Sequence, residues 1–199
     1  MNISTYLVII LGIIFLLQLF IPSITDVFIF LPSIALSEPW RFISSVFLHG
    51  GFTHILFNCY ALFMFGSILE RRVNTKQYLF LFFSAGLVGS LFYYATYLLG
   101  MIPDIPALGA SGAIYGILGA VAMLLPDLRI FFFFFPLRMR YAVIFWIALE
   151  FLGTFDPSSG IASAAHLGGI LFGLAYGFYL KKGFGSDGWV QEQHSPNWS

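Results

Sequence analysis

The sequence predicts an all-α membrane protein, a polytopic bundle of six transmembrane helices. Three observations predict it. The 199-residue chain is 59% hydrophobic and only 9% charged, whereas soluble domains carry about 25% charged residues. Its apolar residues fall into six runs, most of them near the ~20 residues a helix needs to cross a hydrocarbon core. Eight of its nine Lys and Arg gather in alternate connections between those runs. A mean hydropathy of +0.91 leaves too little polar surface to cover a water-soluble globule. Zero net charge argues against a nucleic-acid partner. Cys59 is the single cysteine, which excludes an intrachain disulfide and any Cys-based metal site.

The runs are Ile3–Ile21, Phe52–Leu69, Tyr78–Leu99, Ala107–Leu125, Leu137–Phe155 and Ile161–Leu180. The first has the length of a signal peptide but lacks a basic start and a small-residue cleavage site, so it reads as a retained span. The connection from Pro22 to Gly51 is long and too apolar for disorder. It is expected to be ordered and partly sunk in the outer leaflet. The second and third runs are separated by Arg71, Arg72 and Lys76. The fourth opens on Gly109-Ala110-Ser111-Gly112-Ala113-Ile114-Tyr115-Gly116, small residues that let another helix approach closely. The fifth is the weakest, because its charge-free part starts at Tyr141 and Glu150 interrupts it. Ahead of it, Phe131–Phe135 is closed by Pro136 and followed by Arg138 and Arg140, which reads as an interfacial aromatic stretch. The sixth carries Gly169, Gly173 and Gly177 at intervals of four, a stripe along one helix face. The expected organisation is a six-helix core over residues 1–182 and a polar cytoplasmic tail over 183–199. The positive-inside rule places both termini in the cytoplasm, and an even number of spans requires the same. The expected location is a prokaryotic cell (inner) membrane.

Polar side chains within spans are expensive, and each needs a reason. Ser111 lies near the outer end of the fourth run, about one turn in. His166 lies about six residues into the sixth, from the same side. His54 and Asn58 lie at the outer end of the second, four apart and so on one face. Two glycine-lined helices packed backbone to backbone would bring Ser111 and His166 into hydrogen-bond reach. A serine beside a base is a competent nucleophile, and His54 with Asn58 would supply donors for an oxyanion. Each residue also has a structural reading: a packing serine in a Gly112/Gly116 face, a packing histidine, an interhelical hydrogen bond. Those readings leave the common depth of four polar side chains unexplained. The outer acids Asp26, Glu38, Asp104 and Asp156 are in loops, and nothing in the sequence places Glu150 beside His166. A Ser–His dyad is therefore the economical reading.

These residues resemble the motifs of the rhomboid intramembrane serine proteases. Gly109-Ala110-Ser111-Gly112 is similar to the family's GxSG nucleophile motif, and Ala165-His166-Leu167-Gly168-Gly169 to its AHxxG motif. His49, His54 and Asn58 reproduce its HxxxxHxxxN pattern, and Trp40-Arg41 the WR pair of its first loop. The resemblance covers nearly the whole chain. It implies Ser111 as nucleophile, His166 as general base, and His54 and Asn58 in the oxyanion hole. It implies supporting roles for His49, Gly109, Trp40 and Arg41, a Tyr115 ring stacked beneath His166, and Glu70 with Arg71 ending the second span.

The implied activity is proteolysis of single-span transmembrane proteins, within or near their membrane segments, in the lipid bilayer and without cofactor or metal. Helical peptide bonds are shielded by their own hydrogen bonds. The substrate must unwind locally, and a helix must move to admit it. The fifth run is the expected gate, with Trp146 moving against Phe57. Two readings of other classes remain. A catalytically inactive relative that escorts membrane proteins would typically lack the Ser or the His, and both are present. A transporter would need a polar path across the whole bilayer, and the inner halves of the runs offer mostly Leu, Phe and Gly. No HExxH supports a zinc protease. The oligomeric state and the physiological substrate are not legible.

Overall fold

The computed structural model describes residues 2–132, 134–156 and 162–183. The predicted tail beyond Gly183, the connection over residues 157–160 and the Ile161 start of the sixth run lie outside the described residues. Among those described, six helices exceed ten residues: α1 Ile3–Phe20, α2 Phe52–Glu70, α3 Thr75–Leu98, α4 Ser111–Leu124, α5 Met139–Gly153 and α6 Ser163–Gly183. Each of the six apolar runs corresponds to one of them. Four, α1, α2, α3 and α6, are long and apolar enough to cross a membrane, while α4 has 14 residues and α5 has 15.

The fourth helix begins four residues later than its apolar run, and the reason is local. Ala107 is engaged in an antiparallel bridge with Phe30. Gly109 then takes φ +127°, a backbone that L side chains rarely adopt and that a helix cannot contain. Ser111 is consequently the first residue of α4, not a residue one turn in. The third helix begins earlier than expected because Asn74 and Gln77 form a capping box, with bonds of 3.0 and 2.9 Å. A second correction concerns the all-helical expectation. Arg129–Phe132 (β1) and Phe135–Arg138 (β2) form an antiparallel hairpin, with Arg129 opposite Arg138 and Phe131 opposite Pro136. Phe and Ile favour extended backbone, and Pro136 forbids a helix through this stretch. Phe131, Phe134 and Phe135 project outward from it.

α4 is the axis of the molecule, with 11 of its 14 residues buried. It packs along α6 and α3. The carbonyls of Gly112 and Gly116 occupy the space that a Cβ on Gly169 or Gly173 would need, and a Cβ on Gly119 would meet the Ile170 carbonyl of α6 at 2.5 Å. Only glycine on both sides permits this approach. The outer layer is apolar: α1 turns Ile9, Ile13, Leu16 and Phe20 to the surroundings. Its one buried amide, Gln18, is fully used. It receives the His49 N–H at 3.0 Å and donates to the His49 carbonyl at 3.3 Å and to Thr25 Oγ1 at 2.9 Å. At the opposite end of α1, Glu70 accepts the N–H of Ile3 at 3.0 Å, the N–H of Ser4, and the Ser4 hydroxyl at 2.6 Å. A carboxylate at a helix N-terminus is favourable, and this one ties α1 to the end of α2.

The connection between α1 and α2 is ordered around one buried cation. Arg41 donates to the carbonyls of Asp26 at 2.8 Å and Ile29 at 2.6 Å, and pairs with Glu38 at 2.6 Å. Trp40 Nε1 donates to the Val27 carbonyl at 3.2 Å. Phe30 and Phe42 pack beneath, with ring centroids 4.9 Å apart. The fold of this connection reaches the N-terminus of α4 through the Phe30–Ala107 bridge and a bond from Gly109 N–H to the Ser45 carbonyl at 2.9 Å.

Candidate active site

Three helices and two loop segments bring polar side chains together beside that N-terminus. Ser111 Oγ lies 2.7 Å from His166 Nε2. The Tyr115 ring stacks on the His166 imidazole with centroids 4.4 Å apart and planes 6° from parallel. The glycine seam causes both contacts. It holds α4 and α6 so close that Ser111, the first residue of α4, and Tyr115, one turn on, both meet His166 in the first turn of α6.

His54 and Asn58 face the same place from α2. Gly109 abuts them: a Cβ there would meet the His54 ring at 2.8 Å and Asn58 Nδ2 at 3.6 Å. Glycine is required at this position twice, by its φ and by these neighbours. His54 Nδ1 takes the Gly50 N–H at 3.4 Å, which leaves Nε2 as the proton-bearing nitrogen and so a donor. Asn58 Nδ2 is buried and has no hydrogen-bond partner among the described residues. Ala110 has no side chain able to cap α4, so the N–H groups of Ser111, Gly112 and Ala113 receive no cap from it. Donors from two helices therefore face the Ser111 hydroxyl region. His49 stands behind His54, its ring 5.1 Å away and edge-on. Burial, and then the neighbouring His54, push the His49 imidazole down to about 4, so it is neutral at pH 7.

A cavity of about 750 Å³ opens over this group, within the size range of small-ligand sites. His54, Asn58, Ser111, Tyr115 and His166 line it, together with Leu108 and Thr154. Trp40 and Arg41 do not line it; they brace it from the first loop. On α5, Trp146 meets Phe65 of α2 edge-on at 6.3 Å. Phe57 lies two turns nearer the outer end of α2 and is 66% exposed. The structure thus brings Trp146 against Phe65 and leaves Phe57 on the surface.

One residue of the cluster escapes the sequence reading. Glu150 Oε2 lies 3.1 Å from His166 Nδ1, and Glu150 Oε1 accepts the Tyr115 hydroxyl. The signal was present. Glu150 is three residues from the end of α5 and His166 three from the start of α6, so two helices consecutive in the chain carry them at similar distances from their facing ends.

Among the described residues no three His, Cys, Asp or Glu converge as a metal site requires. Residues 36–183 match the model of the Rhomboid domain. The chain belongs to the rhomboid family. It is 34% identical over 149 residues to Rhomboid protease GlpG of Haemophilus influenzae, covering 73% of this chain and 72% of that protein. It is 34% identical over 143 residues to Rhomboid protease GluP of Bacillus subtilis, covering 71% of this chain and 26% of that one. To Rhomboid protein 1, mitochondrial, of Saccharomyces cerevisiae it is 34% identical over 149 residues, 70% of this chain and 41% of that one. The matched region thus spans about a quarter of GluP and about two fifths of the yeast protein.

Proposed function

We propose that this rhomboid-family chain is an intramembrane serine endopeptidase, with Ser111 as nucleophile and His166 as its general base. The observation that carries the reading is the 2.7 Å approach of Ser111 Oγ to His166 Nε2. At that distance the imidazole takes the hydroxyl proton as the oxygen attacks a carbonyl, then returns it to the departing amine. His54 Nε2, the Asn58 amide and the uncapped Ser111 N–H stabilise the oxyanion. Tyr115 fixes the plane of the imidazole. His49, Gly109, Trp40 and Arg41 support the shape of the site. Neither a cofactor nor a metal takes part.

The six helices form a six-span core. α4 is about 21 Å long at 1.5 Å per residue, against a hydrocarbon core of ~30 Å. If its inner end lies near Arg129, its outer end stops short of the surface, which sinks Ser111 below it within an open cavity. Eight of nine cations then lie on the inner side, with both termini in the cytoplasm of a prokaryotic cell. Substrates are single-span membrane proteins that unwind locally, with a small residue such as Ala, Ser or Gly before the cut. Leu108, the glycines and the α2 face leave little room beside Ser111. A substrate series tests this. Replacing that residue with Phe slows cleavage, and equal rates for Ala and Phe refute a narrow site. A fluorophosphonate probe labels Ser111 in the wild type, and labelling elsewhere refutes the nucleophile. An escort protein without catalysis is disfavoured by the intact Ser111–His166 contact.

A further inference from the structure

We infer that Glu150 is a positioning residue for His166, so that the site works as a Glu–His–Ser array and not as a bare dyad. The inference rests on the protease reading above. Three observations carry it. Glu150 Oε2 lies 3.1 Å from His166 Nδ1, on the ring edge opposite Ser111. Its other oxygen accepts the Tyr115 hydroxyl, and the Tyr115 ring is the one stacked on His166. The carboxyl is 8% exposed, in a chain region where an uncommitted acid is costly.

The chemistry follows from the donor inventory. A carboxylate only accepts, and here each oxygen faces a donor. Glu150 Oε2 is the charged neighbour of Nδ1 at 3.1 Å, without the alignment of a full hydrogen bond; its charge favours a proton on Nδ1, which leaves the Nε2 lone pair toward Ser111. That is the tautomer a general base needs, and an acid beside Nδ1 enforces it. When Nε2 takes the serine proton, the imidazolium lies between the carboxylate and the forming oxyanion. Glu150 stabilises it without itself gaining a proton. The groups facing this carboxylate are His166 and Ser163 from α6 and Tyr115 from α4; His54 lies beyond the imidazole.

The placement has a mechanical side. The buried residues of α5 are Met139, Ala142, Val143 and Glu150. Glu150 is the one buried side chain in the outer half of that helix. The contact that orients His166 is therefore also the contact that seats α5.

The test compares Glu150→Gln, Glu150→Asp and Tyr115→Phe with wild type in lipid, on one single-span substrate. Activity is expressed per folded molecule, with kcat and KM separated. Glu150→Gln keeps the size and a Tyr115 acceptor but removes the charge. Its kcat falls by about 10²–10⁴-fold, the range over which positioned acid–base groups act, with little change in KM. Glu150→Asp recovers part of kcat. Tyr115→Phe loses less than Glu150→Gln. A Glu150→Gln enzyme with lower thermal stability but wild-type kcat would overturn the inference and leave Glu150 a packing residue. Parallel Ser111→Ala keeps the two claims apart. If Ser111→Ala still cleaves, the protease reading fails; if it is dead while Glu150→Gln is unimpaired, only the role of Glu150 fails.

Discussion

The α4–α6 seam and the α5 helix sit on two sides of the same serine and histidine, and they are built by opposite means. The seam is glycine against backbone carbonyl, with Gly112 and Gly116 filling the only space open at Gly169 and Gly173. α5 is held by a few contacts, among them Trp146 edge-on to Phe65 and Glu150 to His166 and Tyr115, and it leaves Ile144, Leu149, Phe151 and Leu152 exposed. Close packing without voids is stiff; a helix resting on aromatic edges and a few polar contacts moves at lower cost. A site that must keep Ser111 and His166 aligned while admitting a peptide from lipid requires both kinds of packing.

The comparison breaks most visibly at the seam. Gly173→Leu puts a side chain into the Gly116 carbonyl, where backbone cannot yield, and overpacking costs about 1–3 kcal/mol or more. We expect loss of folded protein, and of all cleavage with it, read by thermal unfolding in detergent. A Gly173→Leu protein of wild-type stability would show that the seam is not tight. Asn58→Ala leaves both helices in place and removes one donor. Turnover should fall by about 10²–10³-fold, the effect of deleting one oxyanion donor, with unchanged melting temperature. Unaltered kcat would remove Asn58 from the site.

On α5 the sign reverses. Phe65→Ala and Trp146→Ala take aromatic bulk from the contact between α2 and α5, and cleavage of bulky substrates should rise several-fold. Should both substitutions slow cleavage without destabilising the fold, α5 is not the gate. The smallest effect concerns His49. Its folded value of about 4 lies below the ordinary 6.5, so the unfolded chain binds the extra proton first. This contribution to stability is complete above about pH 6.5 and is lost as pH falls from there toward 4. His49→Gln should flatten that part of a melting-temperature profile, and an unchanged slope would assign the pH dependence elsewhere.

Much of this was legible because membrane helices write their periodicity plainly. Six apolar runs became six helices. The interval of four between Gly169, Gly173 and Gly177 foretold the seam, and the seam foretold the meeting of Ser111 with His166. What stayed hidden depended on backbone that hydropathy does not encode. Gly109 at φ +127° and the Phe30–Ala107 bridge shorten α4, yet an apolar count runs straight through both. The hairpin at Arg129–Arg138 is too short to leave a period. By hydropathy Glu150 is only an interruption of a weak span, because its partner is fixed by the rotation of α5, which hydropathy leaves open. The same rotation put Trp146 on Phe65.

The central claim is that Ser111 attacks a peptide bond with His166 as its base. Purified protein in lipid, incubated with a single-span substrate whose N-terminus is outside and whose span carries Ala followed by a helix breaker, tests it directly. Wild type should release one defined fragment. Ser111→Ala and His166→Ala should release none while remaining folded, and the double substitution should be no worse than either, since the pair acts as a unit. Undiminished cleavage by Ser111→Ala would contradict the account.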